Sequence, residues 1–94
     1  MIPKDELQRA IVIAKKYHIG KLYMIGSALR DPKTAHDYDF AVSDVPEGVF
    51  FLFYGELFMS LSKNVDLIDL SGEMTKFKSL VLQEGKLIYD KEAA

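Results

Sequence analysis

The sequence contains no cysteine in its 94 residues. A disulfide-stabilised scaffold and every metal site built on thiolates are therefore excluded. Long apolar runs are also missing, because the longest one extends from Val49 to Tyr54 and falls far short of the ~20 residues that span a bilayer. The first six residues, MIPKDE, lack the apolar core of a secretory signal. We therefore expect a cytoplasmic protein that does not insert into a membrane.

Positive charge is not in excess either. There are 12 Lys and Arg residues against 14 Asp and Glu residues, which gives a formal net charge of −2. Stable binding to nucleic acid is not expected, because it depends on basic groups that neutralise phosphates. Hydrophobic residues make up 49% of the chain, which excludes a disordered protein and fits one domain over residues 1–94. In an enzyme this small, another molecule would have to present the acceptor.

Helical and strand patterns alternate along the chain. An apolar stripe at helical spacing after Pro3 predicts a first helix that Gly20 ends. Further helices are predicted over 49–62 and 71–84, the last capped by Ser71 and ended by Gly85. The predicted strands are 21–25, 37–42, 65–70 and 86–89, with a helical turn and a loop over 28–36. This order predicts an α/β (α+β) fold, a small mixed sheet flanked by helices.

Two carboxylates recur at strand spacing in the second predicted strand. Asp37 and Asp39 are two residues apart, so their side chains emerge on the same face. Like charges side by side repel, and acidic residues are depleted in strands. A hard divalent cation such as Mg²⁺ would offset the repulsion, since it binds carboxylate and phosphate oxygens. The alternative is a solvated strand edge that binds nothing.

Two other short motifs accompany this pair. Gly26 and Ser27 directly follow the first predicted strand, where glycine permits close backbone approach and the serine with the next N–H groups can hold a phosphate. An ordinary turn explains the same two residues. Asp66 and Asp69 lie in the third predicted strand and are three residues apart, so they point to opposite faces. Only one of them can share the face of the earlier Asp pair.

Together these motifs resemble the nucleotidyltransferase superfamily of DNA polymerase beta. The resemblance rests on Gly26-Ser27, on Asp37-x-Asp39 beginning ten residues after the serine, and on Asp66 after an intervening helix. The small size and the run IGSALR over 25–30 look like the minimal nucleotidyltransferases of that superfamily. The similarity extends over most of the chain, and it implies the nucleotidyltransferase fold.

The resemblance also implies a reaction. Asp37 and Asp39 would hold two Mg²⁺ ions together with a nucleoside triphosphate, ATP or another. Asp66 would be the third carboxylate, a ligand of the ion that activates the attacking hydroxyl and an acceptor for its proton. This arrangement agrees with two-metal catalysis, in which the ions clamp the attacking and leaving oxygens. The product is a nucleoside monophosphate ester of the acceptor hydroxyl, released with pyrophosphate.

The phosphate contacts implied by the resemblance lie in the segment after the first strand. Gly26 and Ser27 would hold the β- and γ-phosphates. Arg30 matches an arginine of the family and would contact the triphosphate, although an ion pair with a nearby acid explains it equally well. Asp31 departs from the family, in which a glycine often follows the arginine.

The helix predicted around residues 49–61 is apolar on nearly all sides. A surface helix needs only one apolar stripe. Either this small domain buries the helix deeply, or the helix forms an interface with another protein or with a second copy of the chain. Many minimal nucleotidyltransferases are antitoxins of helical HEPN-type proteins, so the resemblance implies such a partner.

Two functions therefore compete at this point. The first is an Mg²⁺-dependent enzyme that transfers AMP from ATP to a hydroxyl of a partner protein, such as a tyrosine. The second is an antitoxin that masks its partner by contact and does not use the nucleotide site for catalysis. A nucleic-acid polymerase or tRNA-modifying enzyme is disfavoured by the negative net charge and by the lack of a second domain.

Overall fold

The computed structural model describes residues 2–25 and 37–93. Three helices and four strands follow one another in these ranges. The helices are α1 (Lys4–Lys16), α2 (Phe50–Ser60) and α3 (Lys76–Glu84). The strands are β1 (Lys21–Ile25), β2 (Asp37–Ser43), β3 (Asn64–Asp69) and β4 (Lys86–Asp90). No helix in the described part of the chain is long and apolar enough to cross a membrane.

The strands form one mixed sheet in the order β3-β2-β1-β4. β1 pairs antiparallel with both β2 and β4, whereas β2 and β3 run parallel. The parallel pair is possible because α2 forms the crossover between its two strands. The predicted α+β architecture, a small mixed sheet flanked by helices, is confirmed.

The two faces of the sheet are covered differently. α1 and α2 pack on one face, where Phe53 and Leu57 of α2 join a buried cluster with Leu22, Phe40 and Val42. On the other face, α3 contributes Val81 to a smaller cluster with Ile25, Ala41 and Leu70. Side chains alternate between faces along a strand, so the odd-numbered positions of β2 belong to the α3 face. Within residues 2–25 and 37–93, α3 is the helix that packs on that face, and it covers only part of it.

Two of the predicted helix boundaries are wrong. α1 ends at Lys16, and the left-handed residue after it is His18, with φ 57°, rather than Gly20. Gly20 is needed for close packing instead, since a Cβ there would lie 2.4 Å from Cβ of Asp44. α3 begins at Lys76, where the Thr75 side chain accepts a hydrogen bond from the Lys78 N–H at 3.1 Å.

Ser71 therefore does not cap α3. Its own N–H donates to Oδ1 of Asp69 at 2.9 Å, and the next residue, Gly72, has φ +83°. This turn holds Ser71 in a loop between β3 and the helix. The other predicted boundary is confirmed, because α3 ends at Glu84 and Gly85 follows it, donating its N–H to the Val81 carbonyl at 2.8 Å.

A buried carboxylate ties α1 to β2. Glu6 is only 4% exposed; its Oε2 accepts a hydrogen bond from the Tyr38 hydroxyl and its Oε1 accepts one from the Ser62 N–H at 2.6 Å. Burial raises the pKa of Glu6, but the bonds from Tyr38 and Ser62 outweigh it, so the pKa lies below its ordinary value. Burial and the bond to Glu6 raise the pKa of Tyr38 to about 12.

The Tyr38→Phe variant is expected to be less stable by about 1–3 kcal/mol, because Glu6 would remain buried with one hydrogen bond fewer. The wild-type contribution is complete below the ordinary tyrosine pKa and is lost as pH rises from about 10 towards the folded value of about 12. Urea unfolding at neutral and alkaline pH measures both effects. Tyr17→Phe is the control, since that hydroxyl donates to Glu56 at a partly buried position where Lys16 also donates to the same carboxylate oxygen. Equal stability of Tyr38→Phe and wild type would contradict the assignment.

Candidate active site

Carboxylates from two neighbouring strands meet on the α3 face of the sheet. Asp39 of β2 lies opposite Asp66 of β3 in the parallel register and opposite Ile25 of β1 in the antiparallel one. The three residues form a row across the sheet. Asp37 lies two residues before Asp39 and shares its face because of the strand alternation. The structure thus places Asp39 and Asp66 side by side, with Asp37 on the same face two residues away along β2.

The electrostatics of the site centre on Asp39. Burial is the largest cause that raises its pKa, and the negative charge of Asp66 is the second. A hydrogen bond between the two side chains and the more distant charge of Asp37 act in the same direction. These carboxylates are therefore held close together although their charges repel.

Asp69 is the acidic residue that does not join the site. It is paired with Val42 in the sheet, and its carboxylate accepts hydrogen bonds from the N–H and hydroxyl of Ser71. Of the two acids in β3, Asp66 is thus the one that shares the face of Asp39. The spacing of three residues already required that only one could do so.

The donor set fits Mg²⁺ held jointly with a substrate. Within residues 2–25 and 37–93, no three acidic or imidazole side chains converge into a metal cluster by themselves. The side chains of Asp39 and Asp66 interact with each other, and Asp37 lies two residues before Asp39 on β2. Mg²⁺ needs no complete protein cage, because it commonly takes one or two carboxylates together with substrate phosphates and water. The residues present meet that requirement.

Gly26, Ser27 and Arg30 lie outside the described residues, so their predicted phosphate contacts remain predictions. Ile25, which directly precedes them in sequence, is the sheet partner of Asp39.

A cleft of about 510 Å³ opens beside the carboxylates, and we call it the α3 cleft. Asp39 and Asp66 form one end of it. Its walls are apolar side chains from the sheet and from α3, with Glu84 among the lining residues: Ile25, Ile68, Phe77, Leu80 and Val81. Phe77 and Leu80 are both more than half exposed.

The sequence analysis did not identify this cleft. A signal was nevertheless present, because the four cleft residues of α3 recur at helical spacing i, i+3, i+4 and i+7 from position 77. This stripe is normally interpreted as a face packed on the core. In the structure only Val81 of the stripe is buried.

The α2 helix is neither fully buried nor fully exposed, so deep burial is confirmed for one side only and the interface stays a prediction. Phe53 and Leu57 are buried in the core. The opposite side, which we call the α2 patch, exposes four large apolar residues: Phe51, Leu52, Phe58 and Met59. The patch lies on the helix that covers the other face of the sheet from Asp39 and Asp66.

The comparison with known proteins agrees with the geometry of the acidic site. The family model described as polymerase beta, nucleotidyltransferase, matches residues 8–94. No curated protein matches the chain.

Solved structures show a similar fold. A chain from a toxin–antitoxin structure with AMP-PNP superimposes with a TM-score of 0.73 at 22% identity, covering 93% of this chain and 75% of that one. A chain from the complex of a tri-AMPylated Shewanella oneidensis HEPN toxin with an MNT antitoxin gives a TM-score of 0.70 at 21% identity, covering 96% and 74%. A chain of the MntA–HepT toxin–antitoxin pair gives 0.70 at 20% identity, covering 97% and 75%.

Proposed function

The chain belongs to the polymerase beta nucleotidyltransferase family, and from this membership we propose that it transfers AMP from ATP to a hydroxyl of a partner protein. The observation that carries the proposal is the pairing of Asp39 with Asp66 across neighbouring strands, on the face that Asp37 shares. Two similar structures support the choice of substrate, since one is a toxin–antitoxin structure with AMP-PNP and the other contains a tri-AMPylated HEPN toxin.

Each proposed residue has one task. Bound Mg²⁺ would be held by Asp37, Asp39 and Asp66, and would supply neutralisation of triphosphate charge and activation of the hydroxyl. Gly26, Ser27 and Arg30 bind the triphosphate. The acceptor oxygen forms a bond to the α-phosphorus, the bond from that phosphorus to the bridging oxygen breaks, and pyrophosphate leaves with the electron pair. Asp66 takes the proton of the hydroxyl.

The proposed partner is a helical protein of the HEPN type. Similar structures are complexes of MntA with HepT and of an MNT antitoxin with a HEPN toxin. The α2 patch supports a protein partner, because Phe51 is 81% exposed and Met59 86% exposed, with no charged residue in the first or last turn of the helix.

Gly55 provides a second argument that the α2 patch binds a protein partner. It lies midway along the α2 patch, and a Cβ at this position would meet nothing within 4 Å. Packing against the described residues therefore does not explain Gly55, although glycine in a helix costs about 1 kcal/mol relative to alanine. A partner helix that approaches closely at this point does explain it.

Calorimetric titration of Mg²⁺–ATP tests the nucleotide site. Wild type is expected to bind only when Mg²⁺ is present, and Asp37→Asn to bind at least about tenfold more weakly, because a carboxylate ligand is lost. Asp44→Asn is the matched control, since Asp44 is exposed beyond the other end of β2 and its φ of 54° suits asparagine. Equal ATP affinity of Asp37→Asn and wild type would contradict the assignment.

The second candidate function is masking by contact alone, which the exposed α2 patch favours. It differs from the enzyme in one respect that can be measured. A masking antitoxin still neutralises its partner when Asp39 is replaced by asparagine, whereas a transferase does not. Neutralisation by a folded Asp39→Asn variant would decide for masking.

A further inference from the structure

We propose that Glu6 is a positioning residue of the acidic site, because it links β2 to the segment that leads into β3 and so fixes Asp39 relative to Asp66. This inference rests on the proposed function and deepens it, since it names a residue outside the site that sets the spacing of the proposed Mg²⁺ ligands. Glu6 belongs to α1, which packs on the other face of the sheet from these carboxylates. It therefore acts through the backbone of the two strands and contacts neither cation nor substrate.

Tyr38 lies between two of the proposed ligands along β2. Its side chain is part of the core under α1, whereas Asp37 and Asp39 emerge on the α3 face. The Tyr38 side chain is only 1% exposed, and its hydroxyl donates a hydrogen bond to Oε2 of Glu6. Any shift of Tyr38 moves the backbone that carries both aspartates, so the bond to Glu6 restricts their positions as well.

Asp66 lies on an edge strand, since β3 has β2 as its one neighbour among the described strands. Its position depends on that pairing and on the contacts that anchor the two ends of β3. At the end of the strand, the Leu70 N–H donates to the Val42 carbonyl at 2.8 Å. Two residues before the strand begins, the Ser62 N–H donates to Oε1 of Glu6 at 2.6 Å. Glu6 thus anchors the start of β3.

The anchor matters because the carboxylates of the site repel each other. Asp39 and Asp66 lie opposite each other in the register of β2 and β3. Before a cation binds, their repulsion favours movement of the edge strand away from β2. The two hydrogen bonds to Glu6 oppose that movement at the end where both strands begin. The ligands are therefore held ready for Mg²⁺–ATP, and less ordering is required when it binds.

Stability alone does not account for an acid at position 6. Glu6 is only 4% exposed, and the desolvation of a carboxylate opposes folding unless hydrogen bonds compensate for it. An apolar side chain would avoid this cost, but it could not make directional bonds to two separate segments. Lys63 adds a further link between the same segments, since its Nζ lies 5.5 Å from the centre of the Tyr38 ring. Placement of β2 and β3 explains the buried acid better than core filling does.

Three variants distinguish positioning from core stability. Tyr38→Phe keeps the ring but loses the bond to Glu6. Glu6→Gln can keep both links, because its Nε2 can donate to the Tyr38 oxygen while its Oε1 accepts from the Ser62 N–H. Ile13→Val is the matched control, since Ile13 is on the same helix and buried in the same cluster. It loses one buried methyl group and stability, but no bond to either segment.

The first measurement is the affinity for Mg²⁺ with α,β-methylene-ATP, an analogue that cannot transfer AMP, by calorimetry at a temperature where every variant is folded. Tyr38→Phe should bind about threefold to tenfold more weakly than wild type, because loss of an indirect contact costs less than loss of a group bonded to a metal ligand. Glu6→Gln and Ile13→Val should bind as wild type does. In a transfer assay, Tyr38→Phe should raise the KM for ATP and lower kcat, with the KM for the acceptor unchanged.

Hydrogen exchange of the backbone amides gives a measurement that requires neither nucleotide nor transfer. In Tyr38→Phe we expect protection to fall more in β3 than in β1, because the link through Glu6 between β3 and β2 is lost. Ile13→Val should lower the protection of both strands to the same extent, since it changes only the stability of the whole domain.

Weaker nucleotide binding by Tyr38→Phe, with wild-type binding by Glu6→Gln, would support the positioning role. If Tyr38→Phe binds the nucleotide as Ile13→Val does, and exchange changes equally in β1 and β3, Glu6 contributes to stability alone and the inference is wrong. If folded Glu6→Gln loses nucleotide binding, the charge of Glu6 is required instead of its hydrogen bonds, and the inference is again wrong. If affinity and exchange change as expected but wild type transfers nothing, the proposed function fails while the positioning role stands.

Discussion

The Asp66→Asn variant is expected to transfer AMP about 10³-fold more slowly than wild type or worse, yet to bind Mg²⁺–ATP with nearly unchanged affinity. The loss reflects several kcal/mol of stabilisation of the attacking oxygen, where each 1.36 kcal/mol corresponds to a factor of ten in rate. The variant therefore distinguishes the role of Asp66, which acts on the acceptor hydroxyl, from the role of Asp37 and Asp39, which bind the nucleotide.

The unchanged ATP affinity follows from the electrostatics of the pair. Asp66 places a negative charge beside Asp39, and that charge disfavours the ionised form of Asp39. Asparagine keeps the size and one oxygen ligand but removes the repulsion. The loss of one carboxylate ligand is therefore offset, because the repulsion that disfavours ionised Asp39 is removed as well. Asp39→Asn replaces the more buried of the two carboxylates, so we expect it to weaken Mg²⁺–ATP binding more than Asp66→Asn does.

The chain provides a close control on the same strand. Asp69→Asn changes the same residue type three positions away, where the carboxylate accepts hydrogen bonds from Ser71 instead of facing Asp39. An asparagine oxygen can accept the same bonds, so transfer should remain at the wild-type level. Rapid-mixing assays with a labelled ATP would measure both variants. Normal transfer by a folded Asp66→Asn protein would remove Asp66 from the mechanism.

The acidic site could be predicted from the sequence because strand geometry dictates it. Asp37 and Asp39 must share a face in any strand, and of Asp66 and Asp69 only one can join them. The resemblance to a known family already favoured Asp66, but the strand pattern alone did not, because the choice depends on the pairing of β2 with β3, which places Asp66 opposite Asp39. Strand pairing depends on contacts between distant segments, so no local pattern reveals it.

The boundaries of α1 and α3 were mispredicted for a related reason. Gly20 has the signature of a helix stop, but its role is set by Asp44, which is distant in sequence and leaves no space for a Cβ. Ser71 is a residue type typical of helix caps, but its N–H donates to the Asp69 carboxylate, and this bond holds it in the loop before α3. In both cases a tertiary or loop contact outweighs the local preference of glycine for helix ends or of serine for helix caps.

The α3 cleft was missed because its apolar residues have the spacing of an ordinary buried stripe. Helical periodicity shows that Phe77, Leu80 and Val81 share one face. It cannot show that α3 leaves Phe77 and Leu80 more than half exposed beside the cleft. Partial coverage of a sheet is decided by where a helix lies, and that depends on the whole fold.

The second large effect concerns the α2 patch. The double variant Phe51→Ser, Met59→Ser is expected to bind a HEPN-type partner about 10²-fold more weakly or worse, because two central apolar anchors would each contribute about 1.4 kcal/mol or more. Both side chains are exposed, so the isolated chain should fold normally. Binding can be measured by surface plasmon resonance, with Leu87→Ser as the control, since Leu87 is exposed on β4.

A second variant tests the same surface without removing apolar area. Gly55→Gln adds a good helix former at a position where a Cβ meets none of the described residues within 4 Å, so the free energy of unfolding should rise by up to about 1 kcal/mol. The larger side chain should nevertheless block a closely packed partner helix. Greater stability combined with weaker binding would be difficult to explain by any role of Gly55 inside the domain.

The position of the patch makes docking separable from catalysis. α2 covers one face of the sheet, whereas Asp39, Asp66 and the α3 cleft lie on the other. The double variant should therefore modify N-acetyl-tyrosinamide at the wild-type rate although it no longer binds the partner.

The outcomes for the double variant distinguish the possible occupants of the patch. If the double variant binds the partner as wild type does, α2 is not the docking surface. If wild type alone is a dimer and the double variant a monomer, a second copy occupies the patch instead. Loss of neutralisation is expected for either function, because an enzyme that does not dock cannot modify the partner, whereas retained neutralisation would show that modification without stable docking is sufficient.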